Sequence, residues 1–209
     1  DFAPITMLSS APNLLVVHPS FAAKSVAELL ALAKAKPGVL NYGKSTPGGT
    51  PHLGGEMLNT MAGVKIVPIP YKGSGDIAAA VVANQLDLGF IGAGSGASLI
   101  KAGRLRALAV TSLQPSALFP GLPTVATTIP GFELAGIDAM YAPAKTPAAI
   151  VTKINREIVR FIRSPEGREK YLNLGAEVVG STPAEHAAKI KVDMASMGKL
   201  IKDAGIKVE

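Results

Sequence analysis

Short apolar, β-branched runs alternate with amphipathic stretches through the first half of this chain, and that alternation constrains the fold more than any other feature. Residues 13–18 (NLLVVH) predict a buried strand, as do 39–42, 65–69, 86–91 and 106–111. Between them lie helical patterns. Ser25 is placed to cap a helix running through Lys36, with Val26, Leu29, Leu30 and Ala33 on one face and Pro37 and Gly38 as its stop. Pro51 fits the first turn of a helix reaching about Met61, and residues 75–83 and 97–102 predict two more. Strands separated by helices of this length predict an α/β fold, a parallel sheet with helices on its faces.

After residue 112 the character changes. Residues 113–131 are rich in Pro and turn formers and predict a surface crossing, and 132–142 predict extended chain. Pro147 opens a helix with Ile150, Ile154, Ile158 and Ile162 as a core-facing stripe. Pro183 opens a last helix whose inner face is expected to be Ala187, Ile190, Met194, Met197 and Ile201, with the methionines as core filler. A chain of 209 residues, 48% hydrophobic, has material for one large domain or two lobes. It has no apolar run long enough for membrane insertion. It begins at Asp1 without an initiator Met or signal-peptide pattern, which leaves the compartment open. Cysteine is absent, which removes disulfides and Cys-based metal sites. The net charge of +6 is scattered, aromatics are 5% and Trp is absent, so neither a basic face nor stacking platforms for nucleic acid are present.

Two motif matches fail on context. GVLNYGKS at residues 38–45 fits the phosphate-loop pattern letter for letter. A working loop needs a strand before its first Gly, whereas here a helix precedes Gly38 and residues 39–42 are themselves the strand. GAGSGA at residues 92–97 follows a strand in the dinucleotide pattern, but no carboxylate stands about twenty residues on. It is expected to be a flexible glycine loop between strand and helix. His18, His52 and His186 have no metal-pair spacing, and no G-x-S-x-G elbow occurs. No catalytic residue, metal or cofactor is expected.

The chemistry lies in residues 41–56, NYGKSTPGGTPHLGGE. A strand ends in a loop of glycines and hydroxyls that feeds a helix, with Thr50 as its expected cap. Helix N-termini leave amides unpaired and carry partial positive charge. Gly48 and Gly49 let the backbone approach a ligand closely, and Ser45, Thr46 and Thr50 could add hydroxyl donors. The product is a site for an oxyanion, though a glycine-rich turn with no ligand fits the residues alone equally well.

That loop, with VPIPYKG at 67–73, NQLDL at 84–88, KAGRLRALAVT at 101–111, PTV at 123–125, APAKTP at 142–147, GAE at 175–177, GSTPAE at 180–185 and AGIK at 204–207, resembles the receptor family of tripartite tricarboxylate transporters, the Bug or TctC-like proteins. The similarity covers nearly the whole chain. It implies a periplasmic solute-binding receptor with a two-lobed, type II periplasmic-binding-protein fold. Such a receptor would capture a small organic carboxylate (a di- or tricarboxylate, amino acid or aromatic acid) and deliver it to membrane permease subunits. Carried onto this chain, the ligand-binding residues are Ser45, Thr46, Gly48, Gly49, Thr50 and His52, with Tyr71, Lys72 and Gly73 on a neighbouring turn. His52 would brace the loop as readily as touch ligand, and Asp87 is expected to be a structural partner. Lys44, Pro47, Asn84 and Asp76 depart from the family's usual residues, which puts ligand identity in doubt more than fold. The resemblance also implies a further N-terminal segment. One lobe, residues 13–131, would then be complete and the other, residues 1–12 with 132–209, partial, so that this chain alone would bind weakly or not at all. A different class remains open: the ligand-sensing effector domain of a transcription regulator with a similar bilobed fold.

Overall fold

The helix after Ser25 forms where local chemistry demands it. Ser25 accepts the Glu28 amide at 3.2 Å while the Glu28 carboxylate takes the Lys24 amide at 2.8 Å, a reciprocal cap. Val26, Leu29, Leu30 and Ala33 are its buried face. The computed structural model describes residues 1–206, so the last residue of the 204–207 motif lies outside the described residues. In chain order the elements are β1 (Phe2–Val17), α1 (Val26–Ala35), β2 (Asn41–Lys44), α2 (Thr50–Ala62), β3 (Val67–Pro70), α3 (Ser74–Val82), β4 (Leu88–Gly92) and α4 (Ala93–Lys101). Then come β5 (Arg106–Val110), a 3-10 turn (Val125–Thr127), β6 (Ala135–Pro143), α5 (Ala148–Ile162), α6 (Pro165–Asn173), β7 (Glu177–Val178) and α7 (Pro183–Asp203).

The chain divides into two compact units. The larger comprises Pro12–Ala135 with residues 200–206. Its sheet has the order β3-β2-β4-β1-β5. β2 is parallel to β3 and β4, as expected, but β1 is antiparallel to both β4 and β5. The sheet is therefore mixed rather than parallel. The run Leu14, Leu15, Val16 and Val17 is fully buried, so both faces of β1 are covered. Such a run announces burial but not direction. One core gathers Leu14, Val16, Ile77, Val81, Leu86, Ile91 and Val110. α2 packs on the sheet through glycines. A Cβ on Gly54 would meet the Phe90 ring at 2.6 Å, and one on Gly55 would meet the Tyr42 ring at 2.0 Å. Phe90 stacks in turn on Phe132, with ring centres 6.1 Å apart.

The smaller unit comprises Asp1–Ala11 and Gly136–Lys199. β1 extends through it from Phe2, well before the expected start at Asn13, pairing with β6 and, antiparallel, with β7. Its core holds Ile5, Ala142 and Val151. Polar ties reinforce this small core: Thr6 Oγ1 donates to Ser181 O at 2.8 Å, and Asn155 Nδ2 donates to Ile5 O at 2.9 Å. The predicted inner stripes are only half realised. On α5, Ile162 is buried but Ile150 is 49% exposed, and on α7, Met194 is 72% exposed rather than core filler. Both helices have the right period, but neighbouring side chains cover only part of each apolar face.

Candidate functional site

Because β2, β3 and β4 run parallel, their carboxyl ends share one edge of the larger unit's sheet. Each feeds a helix there at once: α2, α3 and α4. All three are capped by glycine (Gly49, Gly73 and Gly92), and none has a side-chain cap bond. Thr50 is thus not the cap of α2; it is the first helical residue, with Pro51 next. The correction has a chemical consequence. A capping hydroxyl would have consumed an amide that glycine leaves free. The same edge receives β1 at Asn13, opposite Gly92. A buried network of Asn13, Thr111 Oγ1 and the Leu134 carbonyl fixes it.

The turn from β2 into α2 is held from within. Gly48 sits in the left-handed region at φ 76°, where a side chain would be strained. The Gly49 amide donates to Thr46 O at 2.9 Å, and the Gly48 amide donates to His52 Nδ1 at 3.3 Å. Among the described residues no internal acceptor meets the amides of Ser45, Thr46, Thr50 or His52. Thr46, Pro47 and Gly48 are exposed. His52 is 7% exposed, its ring turned inward. Burial lowers its pKa below the ordinary histidine value, nearby Lys44 adds to that and Glu56 opposes it. Glu56 is held by the Tyr42 hydroxyl at 2.7 Å. Burial first and then this carboxylate push the Tyr42 phenol far above its usual range.

The neighbouring turn stands directly alongside. Lys44 pairs with Pro70 across β2 and β3, and the Tyr71 amide donates to Lys44 O at 2.8 Å. The turn of Tyr71, Lys72 and Gly73 therefore starts beside Lys44, the residue from which the turn of Ser45, Thr46, Gly48, Gly49 and Thr50 leads to His52. The Tyr71 ring packs against the core, while Lys72 is exposed. Asp87 accepts the Asn41 amide at 2.8 Å and donates its own amide to Asn41 Oδ1 at 3.1 Å, which clamps the other end of β2 as a structural partner would.

Both rejected motifs resolve. The strand starts at Asn41 rather than at residue 39, since Val39 is an exposed turn residue, but Asn41–Lys44 is strand and the Gly38 amide is spent on Lys65 O at 2.7 Å, so no phosphate loop forms. Residues 92–97, expected as a flexible loop, are the cap and first turn of α4, with Gly92 ending β4 and the helix starting at Ala93: Gly96 lies where a Cβ would meet Leu14 at 2.8 Å. Gly92 and Ala93 thus bring a third helix start to the edge. The signal was present in a G-x-G run directly after a strand, but without the expected loop. Among the described residues no three His, Asp or Glu side chains group as metal ligands, and no helix is long and apolar enough to cross a membrane. The edge can hold an anion on amides, with Lys44 and Lys72 supplying positive potential.

The family model for the tripartite tricarboxylate transporter family receptor, TctC, matches residues 1–206. A protein from the tcbD-tcbE intergenic region of Pseudomonas sp. strain P51 is 32% identical over 203 residues, covering 96% of this chain and 60% of that protein. Protein BugT of Bordetella pertussis is 30% identical over 214 residues, covering 100% of this chain and 64% of its own length. This chain therefore spans about 60% of the length of the curated relatives it matches. Among solved structures, R. palustris Rpa4515 with adipate superposes with a TM-score of 0.81 at 36% identity, over 99% of this chain and 69% of that one. The α/β fold is thus shared with periplasmic binding proteins such as BugD, at a TM-score of 0.76. The chain belongs to the tripartite tricarboxylate transporter receptor family.

Proposed function

We propose that this chain is the major part of a periplasmic receptor that captures a small organic carboxylate and catalyses nothing. The receptor would hand its cargo to the permease subunits of a tripartite transporter. One observation carries the reading: the turn between β2 and α2 leaves the amides of Ser45, Thr46, Thr50 and His52 without acceptors among the described residues, beside a helix start. A carboxylate is an acceptor-only group with lone pairs to match several such donors. Ser45, Thr46, Gly48, Gly49 and Thr50 would form the ligand loop, with Lys72 and Gly73 at its side and Tyr71 and His52 supporting it from beneath. The adipate carried by the R. palustris relative supports the carboxylate class. Amide recognition suits a family whose members differ in ligand, because backbone donors read charge and shape rather than side-chain identity.

Titration calorimetry on the full-length receptor tests this, with a panel of dicarboxylates including adipate, tricarboxylates, amino acids and aromatic acids. The reading expects saturable heat from at least one acid and none from its amide. Silence across the panel would overturn it.

A further inference from the structure

We propose that His52 is the positioning residue of the ligand turn: its neutral imidazole accepts the Gly48 amide and so keeps the Ser45, Thr46 and Thr50 amides presented, and protonation releases them. The purpose assigned to the turn rests on the carboxylate reading above; the brace itself does not.

The geometry fixes the tautomer. The Gly48 N–H points at Nδ1 from 3.3 Å, so Nδ1 carries the lone pair and the ring proton sits on Nε2. A protonated ring has N–H on both nitrogens and would set one donor against another. The contact spans the turn, joining its most permissive residue to a side chain anchored in α2. Gly48 is exposed and at φ 76°, while His52 is 7% exposed. The turn's other internal bond, from the Gly49 amide to Thr46 O, closes a β-turn with Pro47 and Gly48 at its centre, so it shapes the turn locally, and the His52 contact is what ties that turn to the buried face of α2.

The charged surroundings are few. From β2 come Tyr42 and Lys44, and from the histidine's own helix comes Glu56, already engaged by the Tyr42 hydroxyl. Towards β4 the helix packs through Gly54 on Phe90, which carries no charge. Burial and Lys44 favour the neutral ring and Glu56 the charged one, with burial the largest effect, so the brace is set at neutral pH and loosens on acidification.

The experiment uses the full-length, 15N-labelled receptor. Gly48 amide exchange is measured from about pH 8 to about pH 5 and corrected for intrinsic exchange. Three proteins are compared: wild type, His52→Asn and His52→Leu. Asn places an oxygen acceptor near Nδ1 but does not titrate; Leu removes the acceptor. The wild type should protect Gly48 on the order of tenfold at neutral pH, the scale of one hydrogen bond, and lose that protection on acidification. His52→Asn should keep it throughout, and His52→Leu should lack it throughout. Adipate affinity, measured in parallel, should fall with acid in wild type and stay level in His52→Asn. Equal Gly48 exchange in wild type and His52→Leu at neutral pH overturns the proposal. So does an adipate affinity that rises as His52 charges. If wild type binds no adipate at any pH, the ligand reading is weakened while Gly48 exchange still decides the role of His52. Should either variant fail to fold, wild type alone suffices: the Gly48 15N shift must titrate with the His52 ring, and independent midpoints overturn the brace.

Discussion

Gly55→Ala should lower stability although it improves helix propensity. In an exposed helix interior this change gains about 0.5–1 kcal/mol. Here the new Cβ would lie 2.0 Å from Tyr42 Cε2 and 2.1 Å from Cζ. The ring cannot swing away, because Tyr42 is fully buried and its hydroxyl is tied to Glu56 at 2.7 Å. α2 must therefore lift from the sheet or the ring must leave its rotamer, and overpacking of this kind costs about 1–3 kcal/mol, occasionally more. With the clash at the severe end, the net loss is about 1–2 kcal/mol, or roughly 2–8 °C in Tm for a chain of this size. Thermal melts followed by circular dichroism measure it. Gly198→Ala is the control, since nothing lies within 4 Å of its Cβ, and it should melt at or slightly above the wild-type temperature. Because α2 carries the ligand turn at its start, Gly55→Ala should also weaken ligand capture. A Gly55→Ala protein as stable as wild type would refute the claim that glycine is required for close packing there.

Other outcomes follow from individual contacts. Ser25→Ala removes a side-chain cap and should cost about 1 kcal/mol, whereas Thr50→Ala, at a helix start capped by Gly49, should change stability far less; parallel urea unfolding compares them. Gly48→Ala puts a side chain at φ 76° and should cost on the order of 1 kcal/mol while weakening, by calorimetry, whichever acid of the panel gives saturable heat with wild type. His186 is 2% exposed, its Nδ1 has no partner among the described residues, and burial holds its pKa below the ordinary value. The unfolded chain takes up that proton near about pH 6.5 and the folded chain only lower, so stability should fall as pH drops through that window. His186→Leu should reduce the slope in pH-dependent melts, and His52, whose pKa burial also lowers, should contribute to what remains.

What the sequence made legible follows from how local each determinant is. α1 could be placed with its cap and buried face because Ser25, Glu28 and the apolar spacing all act within the helix itself. The direction of β1 could not, since Leu14 to Val17 register burial on both faces and say nothing of which neighbour runs which way. Its start was hidden because Thr6, Ser9 and Ser10 interrupt the apolar pattern; Thr6 finds its partner at Ser181, far away in sequence. The second half of α4 is legible as a helix from residue 97, but its start reads as a loop because Gly94, Ser95 and Gly96 have loop composition, yet Gly96 is there to admit Leu14. At the site, glycines and hydroxyls marked the turn, and Thr50 looked like a cap because threonine often is one. Which amides are left unpaired depends on the bonds from Gly48 to His52 and from Gly49 to Thr46, and no composition rule encodes those. Recognition by amides, as proposed, would likewise leave the ligand's identity unwritten in the side chains.

The most direct check follows backbone amides as carboxylate is added. In a 15N titration of the full-length receptor with adipate, the resonances of Ser45, Thr46, Thr50 and His52 should move furthest and saturate together, with Gly73 beside them. Saturable binding that leaves those amides unmoved while shifting others would contradict the account.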